Sequence, residues 1–412
     1  METSESFLKK KFQEYYRKVK LGKPLEIEKR EFGVGEFGKK ITRRHLSFSS
    51  HAQFNQFLQT EAPFYVSYSN AYYQFPARTP MTAKKLLSSD LVYEFDADDI
   101  STNCKNQHDS WKCPKCQTEG KGEVKICPNC SNGTQQEQWF CSECLNATKE
   151  QMLKLIEIIE NDFGFSEGLH INFSGNAGYH LHLDSEKIRM LSKEARIQIL
   201  DYLTFHEMDF EQTQFLTTVD KMVYCPSLEK TKGQHRRLMV YLEKVISEKS
   251  VTDLASIGLV SVKKIKPFLE NRLKIVEKLR QGTMLPLPGN FSDTQKFWQS
   301  LLTYAVEQNT LAIDRQTSVD LHKIIRVPDT LHGGTGFLAK SIPLPEFKKF
   351  NPFNDSIVFS EKPVKVFIKN APQFSLGNQT FESMQNQKTE LPEFAAIYLM
   401  ARQKALLAED FL

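Results

Sequence analysis

Leu91 to Asp99, LVYEFDADD, joins a strand-forming apolar run to a cluster of carboxylates. Read as a β-strand, its side chains alternate, with Leu91, Tyr93, Phe95 and Ala97 on one face and Val92, Glu94, Asp96 and Asp98 on the other. Two aspartates then leave the strand end pointing the same way. Carboxylates so placed repel unless a cation sits between them, and a hard divalent ion with oxygen ligands, Mg²⁺ or Mn²⁺, answers that need. A strand running into an acidic turn would look the same, so the pair needs partners elsewhere.

The second chemical feature is sulfur. Seven of the eight cysteines fall between Cys104 and Cys144, and three Cys-x-x-Cys pairs account for six of them. Such clustering in a chain without a secretory leader indicates metal binding instead of disulfides. Cys113, Cys116, Cys127 and Cys130 have zinc-ribbon spacing, with each pair on a tight turn. Cys104, His108, Cys141 and Cys144 remain as a second four-ligand set into which the ribbon is inserted. Both sets are complete without water, so one or two structural Zn²⁺ ions are expected. Cys225 stands apart and reads as a small buried residue.

Two further stretches could meet phosphate. HINFS and HLHLD, joined by GNAGY, form a candidate polar hairpin, with Ser174 and His180 near its ends and His180 and His182 on one face. Residues 311 to 337 place Asp314 after a short apolar run, where it could end a strand, and follow it with Arg326, Pro328, His332 and closely spaced glycines. Arg43 and Arg44 lie on a basic segment near the amino terminus.

The elements that must carry these groups are partly legible. Residues 1 to 20 suggest an amphipathic helix packed through Phe7, Phe12, Tyr15 and Tyr16, and FYVSYSNAYY suggests a strand. A helix is expected from Asn146 to a stop at Gly164. Residues 188 to 310 read as a mainly helical insertion, with RLMVYLEKV a candidate strand, FLENRLKIVEKLRQG one amphipathic helix and TQKFWQSLLTYAVEQ another. A strand at VKVFIK and a terminal helix from Pro392 close the chain. The implied divisions are 1–103 (with the Asp-x-Asp strand), 104–145 (zinc module), 146–187, 188–310 and 311–412. With 412 residues, a net charge of only +4 and no apolar run near the ~20 residues of a spanning helix, the chain reads as a soluble cytoplasmic protein with no membrane partner.

In this order, the EFDAD strand, the Cys/His module, FCSECL leading into a helix, SGNAGYHLHL and IDRQTSVDLHKIIRVPDTLHGGTGF resemble the catalytic small subunit of archaeal and eukaryotic DNA primase, the archaeal form most closely. The resemblance implies an α/β catalytic core with a sheet of the RNA-recognition-motif type, an inserted zinc knob and a helical subdomain. It implies that Asp96, Asp98 and Asp314 hold two Mg²⁺ or Mn²⁺ ions, that Ser174, His180, Arg326, His332 and Arg44 contact the incoming nucleotide, and that Cys104, His108, Cys141 and Cys144 bind the knob's zinc. The expected activity is template-directed synthesis of short RNA primers, with DNA a further candidate product, from nucleoside triphosphates on single-stranded DNA. The expected partners are an iron-sulfur large subunit and the primer-template duplex, in a nucleoid-associated archaeal setting. Many relatives carry arginine where this chain has Asn176 or Ala177, which removes a candidate bidentate phosphate contact. A repair polymerase of the same superfamily and a non-catalytic zinc-ribbon nucleic-acid binder are the competing readings.

Overall fold

The computed structural model describes residues 3–213 and 215–411. Met1, Glu2 and Leu412, at the outer ends of the two expected terminal helices, lie outside the described residues. The chain divides into two compact units, one of Met1–Leu153, Glu167–Lys193 and Ile313–Leu412, the other of Lys154–Ser166 and Glu194–Ala312.

The first unit is α/β and is built on two four-stranded antiparallel sheets. In one, the order is Ile324–Arg326, Tyr65–Ser69, Phe32–Glu36, Lys39–Leu46. In the other it is Ser341–Ile342, Leu169–Phe173, Gly178–Leu183, Leu91–Asp96. The aspartate strand Leu91–Asp96 buries Leu91, Val92, Tyr93 and Phe95. Apolar residues on both faces explain why its alternation is interrupted at Val92. The strand stops at Asp96, and Ala97–Asp99 turn into a 3₁₀ helix. Asp98 therefore sits on that turn and not on the strand face shared with Asp96.

Ser4–Lys18 form the amino-terminal helix, capped by the Thr3 hydroxyl, which accepts from the Ser6 N–H. Its buried stripe is Leu8, Phe12 and Tyr16, a strict four-residue spacing, while Phe7 and Tyr15 are only partly covered. Asp314 ends no strand: it is the N-cap of a short helix, Arg315–Val319. The carboxyl-terminal helix covers only Glu393–Ala401, all nine residues buried, and the chain then adds strand Ala405–Leu407 beside Val366–Ile368. Gln403, at φ 60°, breaks the helical path between them.

In the second unit, RLMVYLEKV lies within helix Gly233–Glu248 and is not a strand. Leu238, Leu242, Val245 and Ile246 recur at three and four residues along its buried side, a period that nine residues alone could not separate from a strand. FLENRLKIVEKLRQG is split between Val262–Leu269 and Arg272–Arg280. These helices and Phe291–Asn309 enclose a core that includes Leu238, Leu242, Ile265, Leu279, Trp298 and Leu302, with Cys225 half-buried at its margin.

Candidate active site and zinc centres

The Asp-x-Asp turn is joined to the distant Asp314 through the backbone. The Asp314 N–H donates to the Glu94 carbonyl at 3.1 Å, so the start of the short helix is fastened to the aspartate strand. Asp314 Oδ1 accepts from the N–H groups of Gln316 and Thr317, a capping interaction that orients the carboxylate. Thr317 Oγ1 lies 2.5 Å from Asp314 Oδ2 and 2.7 Å from Glu94 Oε2, bridging the two acids. Glu94 Oε1 is 3.2 Å from His180 Nε2. Burial favours protonation of Glu94, but the His180 charge and hydrogen bond, with the Thr317 hydroxyl, outweigh it and hold the carboxyl below its ordinary range.

Asp96 is pushed the other way, up to about 7, by burial first and then by the charges of Glu94 and Asp98. Asp99 is also raised, by burial and then by the charges of Asp98 and Asp314, so the field of Asp314 reaches this turn. Carboxylates that suppress one another's ionisation are the kind of donor a hard divalent cation relieves, although among the described residues the acids of Asp96, Asp98 and Asp314 do not close into a set within 4.8 Å as the cysteine clusters do.

The hairpin supplies the floor of this site. Gly178 pairs with Asp96 across the ladder, and a Cβ at Gly178 would lie 2.0 Å from Asp96 Oδ1. Only glycine leaves room for the carboxylate. Ser174 Oγ accepts from the N–H groups of Asn176 and Gly178, shaping the turn from within. Ala177 is buried, and its carbonyl accepts from the Ala97 N–H at 3.0 Å, tying the hairpin turn to the aspartate turn. His180 is buried with Nδ1 unpartnered among the described residues, an orphaned polar atom beside the acids.

The loop after Arg326 is clamped to the same turn. Thr335 Oγ1 donates to the Gly175 carbonyl at 2.5 Å, and Gly175, at φ +81°, approaches so closely that a Cβ there would stand 2.7 Å from His332 Cβ. The Gly334 N–H donates to His332 Nδ1, which leaves Nε2 as the protonated, donating nitrogen. His332 is buried and lies edge-on to Tyr65 at 5.2 Å; the Arg326 guanidinium is 5.0 Å from the same ring, its Nη1 donating to the Val66 carbonyl. Burial drives His332 well below the ordinary histidine value, so it is neutral at pH 7. Arg44 is engaged elsewhere: its Nε donates to Glu31, a fully buried carboxylate that also meets His45 and Lys84.

Sulfur and nitrogen come together in two separate groups. In each of the sets Cys104/His108/Cys141/Cys144 and Cys113/Cys116/Cys127/Cys130, the four ligand atoms lie within 4.8 Å of one another. Sγ separations of 3.3 Å for Cys104–Cys144, 3.4 Å for Cys113–Cys130 and 3.6 Å for Cys116–Cys127 approach the ~3.8 Å edge of a tetrahedron with Zn–S of about 2.3 Å. The ribbon's two halves repeat one turn. Cys113 N–H donates to Thr118 O with Gln117 at φ 60°, and Cys127 N–H donates to Asn132 O with Ser131 at φ 56°. His108 presents Nε2 to the cluster because Nδ1 faces Asp109 Oδ1 at 2.8 Å, and the same oxygen accepts from the Trp139 N–H. Hydrogen bonds from the Thr118 hydroxyl and backbone hold the Cys116 thiol down to about 5, ready to ligate.

The alternation of the aspartate strand puts Glu94 on the aspartate face but gives it no role, and no motif marks Asp109, Thr317 or Thr335. Thr317, three residues after the capping Asp314, carried a readable local signal; Asp109 and Thr335 act through contacts that no spacing reveals.

The sequence profile of the DNA primase small subunit matches residues 128–343. The chain is 30% identical to the DNA primase small subunit PriS of Methanococcoides burtonii, covering 97% of each. It is 26% identical to that of Archaeoglobus fulgidus, again over 97% of each, and 26% identical to that of Nitrosopumilus maritimus over 99% of this chain and 100% of the relative. The chain belongs to the DNA primase small-subunit family. It is a primase enzyme with an α/β core, and its cysteine and histidine clusters are compatible with zinc. No helix among the described residues is long and apolar enough to cross a membrane.

Proposed function

We propose that this primase subunit builds short RNA primers on single-stranded DNA, joining nucleoside triphosphates at the carboxylate site of Asp96, Asp98 and Asp314. The observation that carries this reading is the Asp314 helix fastened to the aspartate strand through the Glu94 carbonyl and Thr317, beside a hairpin turn whose Gly178 leaves space for Asp96. Two divalent ions, when bound by the three aspartates, would activate the attacking 3′-hydroxyl and neutralise the departing pyrophosphate. Ser174 fixes the hairpin turn, His180 offers its unpartnered Nδ1, and His332 offers Nε2–H from a ring locked by Gly334. Arg326 adds a positive charge beside Tyr65. Together these side chains would grip the triphosphate and hold it in line, the positioning on which phosphoryl transfer depends. Arg44 acts here through Glu31, positioning the neighbouring sheet, unless nucleotide draws its guanidinium away.

The two cysteine sets each hold one structural Zn²⁺. A large subunit, the DNA template and the primer duplex complete the working enzyme, which acts in the cytoplasm on the archaeal nucleoid. The test is primer synthesis on single-stranded DNA with labelled nucleoside triphosphates, with and without large subunit. Products that start without a primer support the reading; extension from a supplied primer only would replace it with a repair polymerase.

A further inference from the structure

The second unit carries a groove of about 630 Å³ between the later turns of helix Ser142–Phe163 and helix Gly233–Glu248. Lys154, Lys232, Arg236, Arg237 and Lys244 line it, against two acids, Glu157 and Asp162. Asp162 is already engaged: its Oδ2 accepts from the Tyr202 hydroxyl at 2.9 Å and from Arg237 Nη1. Arg237 is thereby anchored at one corner, with Cζ 5.3 Å from the Tyr202 ring and 5.4 Å from the Phe205 ring. Its Nε and Nη2 are buried and have no acceptor among the described residues.

Those two nitrogens form the side-on edge of the guanidinium, whose parallel N–H groups match two oxygens of one phosphate. Leaving them buried and unmet is costly, and it sets Arg237 apart from Arg326 and Arg402, where Nε alone is buried without an acceptor. The remaining charge is spread out. Arg236 and Lys244 lie on one side of their helix, roughly 12 Å apart along its axis at 1.5 Å per residue, with the half-buried Tyr241 between them. A row of that length exceeds what one free anion needs, and an aromatic ring among cations is the pattern on which single-stranded nucleic acid stacks its bases.

We propose that this groove is a nucleic-acid site separate from the carboxylate centre, in which Arg237 turns its Nε/Nη2 edge out of burial to grip one backbone phosphate of a single strand, with neighbouring phosphates along Lys154 and Lys244 and a base against Tyr241. The site does not depend on the catalytic reading. The test is fluorescence anisotropy of a labelled single-stranded oligonucleotide on the full chain, without nucleotide or added divalent metal, across a salt series. Lys154→Glu with Lys244→Glu alters two exposed side chains and leaves the fold intact. It should weaken binding at least about tenfold and flatten the slope of log affinity against log salt by about 1.4, the value for two lost phosphate contacts at 0.7 each. Arg237→Lys keeps a cation for Asp162 but removes the fork, and should weaken binding about fivefold. Affinity and salt slope unchanged in the double variant would overturn the proposal. So would an Arg237→Lys protein that loses affinity for inorganic phosphate, measured by calorimetry, while holding the oligonucleotide as before, since that identifies a free-anion site.

Discussion

The cysteine module and the three aspartates proposed as the metal site are assembled in opposite ways. The eight zinc-type ligands come from 41 residues, Cys104 to Cys144, and each ribbon pair sits on its own hydrogen-bonded turn. Asp314 lies more than 200 residues from Asp96 and reaches it only through tertiary contacts, namely a backbone hydrogen bond to Glu94 and the shared Thr317 hydroxyl. Sulfur ligands gathered by local turns make a closed structural site. Carboxylates drawn from across the fold would make an open one, the proposed metal site, where burial and then the charges of Glu94 and Asp98 raise Asp96.

The comparison breaks most sharply at the aspartates. Asp96→Asn or Asp314→Asn should lower primer synthesis by ~10³-fold or more, the several kcal/mol that metal-assisted charge stabilisation supplies, while zinc content by atomic absorption stays at the wild-type value. A loss of zinc in either variant would show that the two sites are not independent. On the other side, Cys141→Ser should remove one zinc equivalent and leave the ribbon's, and Asp109→Asn should weaken zinc binding at the His108 set by about 10- to 100-fold, since Asp109 fixes the His108 ring. Competition with a chromogenic chelator measures both.

Gly178→Ala probes the floor of the open site. The added Cβ collides with Asp96 Oδ1, so we expect a loss of about 1–3 kcal/mol in stability and a larger loss of activity, read by denaturant melts and primer assays; a variant with wild-type activity would contradict the geometry. The smallest effect is on pH dependence. His182 and His332 are both held well below the ordinary histidine value, first by burial and next by neighbouring positive charge, from His180 and Arg326 respectively. Their folded values lie under the unfolded value of about 6.5, so between the two the unfolded chain binds more protons. Stability is complete above about pH 6.5 and falls as pH drops below it, by up to about 1.4 kcal/mol per pH unit for each group. Thermal melts of wild type and His182→Gln from neutral to mildly acid pH should show a shallower decline in the variant.

How far the sequence reaches follows the same division. The ribbon spacing, the polar hairpin and the α/β order were readable because their partners are neighbours along the chain, as Leu169–Phe173 and Gly178–Leu183 are. Asp98 and Asp314, expected at strand ends, stand on a 3₁₀ turn and an N-cap, because alternation alone does not say where a strand ends. RLMVYLEKV is too short to separate strand from helix, its helical period emerging only with Ile246 and the core of Trp298 and Leu302 beside it. The clamp between Thr335 and Gly175 joins residues 160 apart, and no pattern in either segment announces it.

The most direct test of the account is titration of Mn²⁺ into the zinc-loaded protein, followed by electron paramagnetic resonance, for wild type and Asp314→Asn. Two bound ions in the wild type, both weakened in the variant at unchanged zinc content, are predicted from a single open site built by Asp96, Asp98 and Asp314. Mn²⁺ binding that survives unaltered in Asp314→Asn would contradict it.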